Sequence, residues 1–267
     1  MCRSRSSRRS KVHHLSENDT SLNANKIPTE SISHLETTHG WTITSASSHP
    51  PTVTMTYKSQ LQLFFHPAAF LNPSLDQSEA KAHQRPNAPI SLVYIAQPRH
   101  QQRHHQPQPK DLPTTLRFFL QFLRASLHAL PQSSTRVAEV LGLVSSGWDA
   151  ALSVSEAERR LDLEGITTAR IVSDERLAIE TWMLFSGVRT KVRVGFEVSA
   201  GVGEGLGVRT STAVEARVIY GEGWDEAKMN GIIRQAMDAN GGKGLGTEWS
   251  KGVRALRAKL ATKVSRK

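Results

Sequence analysis

The pattern of apolar and polar positions divides the chain into stretches with different periods. Residues 1–39 are polar, rich in histidine, serine, threonine and asparagine, and show neither a helical nor a strand period. Such a segment buries too little apolar surface to offset its ordering entropy, so we predict a disordered tail. From Gly40 onward, apolar and polar residues alternate. This alternation predicts a hairpin with strands at Trp41–Ala46 and Thr52–Phe65, joined by a turn at Ser47–Pro51.

The period then changes from two residues to about 3.6. A short apolar strand is predicted at Ile90–Ala96. The low-complexity run at 97–111, made of Gln, His, Pro and Arg, predicts a disordered surface insertion. A helix is predicted from Asp111 to Leu130, where Pro131 ends it. A second helix is expected to begin at Ser133 or Ser134 and to run toward Leu163.

The first predicted helix has apolar residues on two of its sides. The main stripe consists of Leu116, Phe119, Leu120, Leu123, Leu127 and Leu130, and a second stripe consists of Phe118, Phe122, Ala125 and Ala129. A helix that is apolar on two sides is generally buried on both. Two interpretations remain open: a central core helix, or a helix shared between two subdomains or with a partner. The second makes Phe118 and Phe122 candidate partner-binding residues.

The C-terminal half predicts three strands and two helices. The strands are expected at Ala169–Phe185, bent near Ser173, at Lys191–Val198 and at Gly207–Tyr220. The helices are expected at Asp225–Asn240 and Thr247–Lys263. In the middle strand, apolar residues alternate strictly with polar ones, which predicts an antiparallel sheet with one buried and one solvated face. The whole order of elements indicates an α+β fold in which one small sheet-and-helix module is used twice.

Charge is concentrated at the two ends of the chain. The formal net charge is +10, and one basic group lies within residues 1–11 while the other includes Lys251, Arg254 and Arg257. We take these three as further candidate partner-binding residues. Without aromatic residues interleaved among the basic ones, specific nucleic-acid binding is not expected. A basic nucleic-acid-associated nuclear protein remains the alternative function.

No residue pattern predicts a catalytic or metal centre, so we expect no enzyme, no cofactor and no small-molecule substrate. The glycine runs at 201–207 and 241–246 lack the spacing of phosphate-binding loops, and the first is expected to be a hairpin loop. His100, His104 and His105 have no carboxylate or cysteine nearby. The longest apolar candidate, Leu116–Leu130, is interrupted by polar residues, so no membrane span is expected. The single cysteine, Cys2, cannot form an intrachain disulfide.

Three long stretches carry a family resemblance. Gly40–Phe70 (GWTITSASSHPPTVTMTYKSQLQLFFHPAAF), Thr114–Leu161 and Ala169–Ala200 resemble the C-terminal domain of the fungal outer-kinetochore scaffold, the Blinkin or kinetochore-null family. The resemblance extends over about Leu35–Ala261, while the stretch before it looks unrelated. The acidic repeats and phosphatase-docking motif of that scaffold are missing here, as is its coiled coil. The chain is therefore expected to be a fragment, a shortened paralogue or a truncated gene model.

The resemblance implies tandem RWD modules, each an antiparallel sheet packed on helices. We place the first module at 40–131 and the second at 132–264, followed by a basic tail at 265–267. The resemblance also implies a non-enzymatic adaptor at the kinetochore, in the nucleus, that docks onto the MIND complex during chromosome segregation. RWD folds are similar to ubiquitin-conjugating enzymes, but conjugation needs an ordered thiolate, and the thiol of Cys2 lies in the predicted tail.

Overall fold

The computed structural model describes residues 39–70, 87–95, 112–238 and 248–264. These residues form two four-stranded antiparallel sheets and four helices, which confirms the predicted α+β class. Residues 1–38 of the predicted disordered tail lie outside the described residues. So do the predicted insertion at 97–111 and the basic tail at 265–267.

The first sheet has the order β1-β2-β3-β4. Its strands are β1 (Trp41–Ser48), β2 (Pro51–Tyr57), β3 (Leu61–Phe65) and β4 (Ser91–Tyr94). The prediction of one strand over Thr52–Phe65 is therefore wrong, because the chain reverses at Lys58 and Ser59. Both residues have positive φ, 47° and 54°. Tight hairpin turns of this kind usually contain glycine or asparagine, so the sequence offered no turn signal here.

The second sheet has the order β5-β6-β7-β8. Its strands are β5 (Ile166–Ser173), β6 (Arg176–Phe185), β7 (Thr190–Val202) and β8 (Val208–Tyr220). The prediction of a single bent strand over Ala169–Phe185 is wrong, because the expected bend at Ser173 is a complete chain reversal. The glycine run at 201–207 joins two antiparallel neighbours, which confirms the predicted hairpin loop. The glycine run at 241–246 lies outside the described residues.

Four helices pack against these sheets. They are α1 (Thr114–Ala129), α2 (Val137–Leu161), α3 (Glu226–Asp238) and α4 (Trp249–Val264). Helix α2 begins later than predicted, because a short 3-10 turn occupies 132–134. The buried Gln132 side chain accepts the backbone N–H of Ala88 and donates to its carbonyl, each at 2.8 Å. These bonds keep residues 132–134 in a turn that is separate from α2. The Glu139 carboxylate then accepts the backbone N–H of Arg136 at 2.7 Å and caps the first turn of α2.

Side chains connect the edge strands β4 and β8 and the inner strand β7 to the helices. Arg124 of α1 donates its Nε–H to the Leu92 carbonyl of β4 at 2.8 Å. Asn230 of α3 accepts the backbone N–H of Ala216 in β8 at 2.7 Å. Trp249 of α4 stacks on Phe196 of β7, with ring centroids 4.7 Å apart. The inner face of the second sheet is thereby covered by helices, as the alternation in β7 predicted.

Four consecutive residues of α2 contact strand β8, helix α1 and the β2–β3 hairpin; we call Ser146–Asp149 the α2 junction. The Ser146 hydroxyl accepts the backbone N–H of Val208 at the start of β8, at 3.0 Å. Gly147 leaves room for the side chains of Leu123 in α1 and Val208. The fully buried Trp148 donates its indole N–H to Gln60 in the β2–β3 turn at 2.8 Å.

The last residue of the α2 junction, Asp149, bonds the first sheet to α2. One Asp149 carboxylate oxygen accepts the Tyr57 hydroxyl at 2.9 Å and the Lys58 ammonium at 2.6 Å. Burial, followed by the hydrogen bond to the Asp149 carboxylate, raises the pKa of Tyr57 above its ordinary value. Tyr57 therefore stays protonated and keeps donating to Asp149 throughout the neutral range.

Helix α2 is long and apolar enough to cross a membrane by the criteria of length and composition alone. The expectation of no membrane span considered Leu116–Leu130 and overlooked this helix. The buried residues of α2 pack against α1, α4 and both strands β5 and β8, while its other residues are exposed or partly exposed.

The α2 junction makes a matched pair of glycine substitutions informative. A Cβ at Gly147 would lie 2.5 Å from Leu123 Cδ2 and 3.0 Å from Val208 Cγ2, whereas a Cβ at Gly142, in the same helix, meets nothing within 4 Å. We expect Gly147→Ala to destabilise the protein by about 1–3 kcal/mol through overpacking. Gly142→Ala should stabilise it by up to about 1 kcal/mol through helix propensity. Denaturant unfolding of both variants measures the difference, and equal effects would contradict the junction.

Candidate protein-interaction surfaces

The structure places Phe118 and Phe122 in one continuous buried arc of α1. Their side chains are 1% and 6% exposed, and the arc also contains the main apolar stripe. Ala125 and Ala129, the other members of the predicted second stripe, are exposed. The second stripe is therefore buried only at Phe118 and Phe122, about one helical turn apart. Little ring surface of either phenylalanine faces solvent, and a partner-binding role for them stays a prediction.

Helix α1 is shared between the two sheets. It packs against β4 of the first sheet, β5 of the second sheet and helix α2. The Thr115 hydroxyl donates to the Glu158 carboxylate of α2 at 2.5 Å, which fixes the first turn of α1 against the last turns of α2. Both interpretations left open by the sequence, a central core helix and a helix shared between two subdomains or with a partner, stay predictions.

The burial of Phe118 sets an expectation for its removal. Phe118→Ala should lower the free energy of unfolding by about 3–5 kcal/mol, because the cavity forms between packed elements. Arg117→Ala, at the exposed neighbouring position, should change it by less than about 0.5 kcal/mol. Thermal and denaturant unfolding of both variants measure the effect. A small loss for Phe118→Ala would mean that the ring lines a seam that relaxes when it is truncated.

The two candidate arginines of α4 contact one carboxylate of their own chain. The Glu164 side chain, 9% exposed, accepts the Nε–H and Nη2–H of Arg254 on Oε1 at 3.1 and 2.6 Å. Arg257 Nη1 lies 3.4 Å from Oε2 of the same residue. These pairs fasten α4 to the end of α2. Lys251 pairs instead with Glu248, three residues earlier, at 3.2 Å. A partner-binding role for the three stays a prediction.

A shallow groove runs where α1 begins and α2 ends. It is lined by Pro113, Leu152, Ser155, Glu156, Glu158, Arg159, Asp162 and Thr167. Its carboxylates are already bonded within the chain: Glu156 to Arg159 and Arg160 at 2.8 Å each, and Asp162 to the backbone of Thr167. This part of α2 is therefore an ion-paired surface.

No cluster of three or more histidine, cysteine, aspartate or glutamate residues that could hold a metal occurs in the part of the chain that the structure describes. The three histidines at 100, 104 and 105 lie outside it, as does Cys2.

The hydrogen bonds from Arg159 and then Arg160 lower the pKa of Glu156 to about 2. Because the folded-state pKa is depressed, these ion pairs are complete above the ordinary carboxyl pKa and are lost as the pH falls through about 2. We expect Arg159→Ala to raise the pKa of Glu156, while Arg160 keeps it below the ordinary value. NMR titration of the side-chain carboxyl carbon measures this. The pKa of Asp225, lowered by the Lys228 backbone, should stay unchanged as the control.

The outer face of the second sheet carries an apolar cluster that the sequence analysis missed. Ile166 is the cross-strand neighbour of Trp182, and Lys191 is the neighbour of both Leu184 and Tyr220. We call Ile166, Trp182, Leu184 and Tyr220 the outer patch. The sequence signal was the unbroken apolar run 182–185 at the end of an otherwise alternating strand, where one apolar residue in two must face away from the core.

Comparison with protein families shows which family the chain belongs to. The family model described as Knl1 RWD C-terminal domain matches residues 5–155, more than half of the chain. The chain belongs to the Knl1 RWD C-terminal domain family. Among curated proteins and among solved structures, nothing matches it. The match confirms the resemblance seen in the sequence. The Knl1 RWD domain is a non-catalytic protein-interaction domain of the kinetochore.

The Knl1 match differs in extent from that resemblance. It begins at residue 5, within the stretch that looked unrelated, and it ends at residue 155, inside α2. The matched part therefore includes the first sheet, α1 and the α2 junction. The second sheet, α3, α4 and the outer patch lie beyond it.

Proposed function

We propose that this chain is a kinetochore adaptor that docks onto the MIND complex and so links the outer kinetochore to centromeric chromatin during chromosome segregation. The single observation that supports the proposal is membership of the Knl1 RWD C-terminal domain family, through a match over residues 5–155. That range holds a complete four-stranded sheet, α1 and the α2 junction, so the matched residues include a packed unit of the fold.

We further propose that the chain contains two RWD modules, with the first at 40–131 and the second at 132–264. One four-stranded sheet falls within each range, which supports the division. The α1–α2 contact and the α2 junction cross the proposed boundary at 131, and Thr42–Lys267 forms one compact unit. We therefore propose that the modules bind partners as one body.

The candidate contact residues differ in how cleanly they test docking. Phe118 and Phe122 are buried, so truncating them perturbs the fold first. Replacing Arg254 or Arg257 breaks the ion pairs with Glu164. Lys251 is the cleanest probe, because its only ion pair described by the structure is the short-range one with Glu248. Lys228 of α3 makes an equivalent pair with Asp225, three residues away, and provides a matched control.

Docking is tested with purified, nuclease-treated chain and recombinant MIND complex. The two should co-elute from a size-exclusion column at physiological salt. Lys251→Glu should slow association, with a larger effect at low salt, because charges at an interface rim act mainly on the association rate. Lys228→Glu should leave the rate unchanged.

Two results would contradict the proposal. Separate elution of the chain and the MIND complex at low salt would remove docking as the function of this chain. Co-elution that disappears on nuclease treatment would favour the alternative of a basic nucleic-acid-associated protein, whose binding falls steeply with salt.

A further inference from the structure

The outer patch groups large apolar side chains on a face that no described helix covers. Ile166, Leu184 and Tyr220 are 74%, 66% and 51% exposed. All three lie at one end of the second sheet. Ile166 of β5 is the cross-strand neighbour of Trp182 in β6, Leu184 follows Trp182 on the same face of β6, and Lys191 of β7 lies between Leu184 and Tyr220 of β8. Scattered exposed apolar residues are ordinary, but a contiguous group on one face marks a site of interaction.

The aromatic members of the patch suit a protein interface. Lys191 lies over the Trp182 ring, with its ammonium 4.3 Å from the ring centroid, and this holds the indole in place on the sheet surface. Tryptophan and tyrosine are enriched among the residues that contribute most to protein–protein affinity, because they bury large areas with few rotatable bonds. The patch thus supplies two such anchors flanked by two aliphatic side chains.

The charges around the patch specify the partner. On the same face Glu180 and Glu215 are both paired with Arg193, and Glu215 also pairs with Arg217. Glu197 is paired with Arg176. By contrast, the ion pairs of this face among the described residues include neither Lys191, whose ammonium lies over the Trp182 ring, nor the exposed Arg189, which directly precedes β7. The carboxylates of this face are therefore satisfied within the chain, and the unsatisfied charge beside the patch is positive.

We infer that the outer patch is a docking surface for a segment of a partner protein that carries acidic residues beside apolar or aromatic side chains. The apolar side chains of that segment cover Trp182, Leu184 and their neighbours, and its carboxylates pair with Lys191 and Arg189. This inference does not depend on the proposed function, because the patch lies beyond the residues matched by the family and its occupant is defined by chemistry alone.

The probe is a fluorescein-labelled synthetic peptide in which leucine and phenylalanine are interspersed with glutamate and serine. Its counterpart has lysine in place of every glutamate. Fluorescence anisotropy with the full chain should show saturable binding of the acidic peptide and at least about tenfold weaker binding of the basic one. The indole N–H resonance of Trp182 should shift on titration with the acidic peptide.

Variants separate docking at the patch from general attraction to a basic chain. Leu184→Ser keeps the charge and removes an exposed side chain, so the fold should persist while peptide affinity falls at least about tenfold. Trp182→Ala should act similarly, and Lys191→Gln should weaken binding most at low salt. The control is Ile43→Ser, at an exposed apolar position of the first sheet. It should leave affinity unchanged.

Three outcomes would overturn the inference. They are an absence of binding by the acidic peptide, equal binding of both peptides, or binding that Leu184→Ser and Trp182→Ala leave unchanged. MIND affinity measured on the same variants is a separate result. Loss of peptide binding with intact MIND binding would show that the patch serves a second partner.

Discussion

The packing of the α2 junction is the constraint on which the rest of this structure depends. The four adjacent residues differ in chemistry: Ser146 has a hydroxyl, Gly147 has no side chain, Trp148 has an indole and Asp149 has a carboxylate. They point in different directions, because successive helix positions are rotated by about 100°. Ser146 and Gly147 contact the second sheet and α1, while Trp148 and Asp149 hold the β2–β3 turn of the first sheet. One helical turn thereby fixes the position of both sheets relative to α1.

That constraint explains where binding residues could and could not lie. With α1 held against β4, β5 and α2, the apolar side chains that look most available in the sequence, Phe118 and Phe122, are used in packing. The C-terminal arginines are likewise occupied, since Glu164 holds both Arg254 and Arg257. Among the described residues, what remains open is the face of the second sheet opposite the helices, where apolar side chains have neighbours in register but no helix or strand packs over them.

Family membership and physical analysis inform different halves of the chain. The match to the Knl1 RWD C-terminal domain covers the first sheet, α1 and most of α2, and identifies a kinetochore protein-interaction domain. The second sheet lies outside the match, yet it has the more extensive strands and the outer patch. Docking onto MIND and docking at the outer patch are thus separate proposals, supported by separate parts of the molecule.

The sequence by itself determined the α+β class, the four helices and the strict alternation of β7, because these depend on local hydrophobic period and on proline and glycine positions. It did not reveal the complete reversals at Lys58–Ser59 and after Ser173, because neither turn contains the glycine or asparagine that marks a tight hairpin, and strand pairing decided them. Only the tertiary structure decided that Phe118 is buried, that Glu164 holds two arginines and that Ile166 meets Trp182. Those contacts join residues distant along the chain, and local patterns carry no information about which distant residues pair.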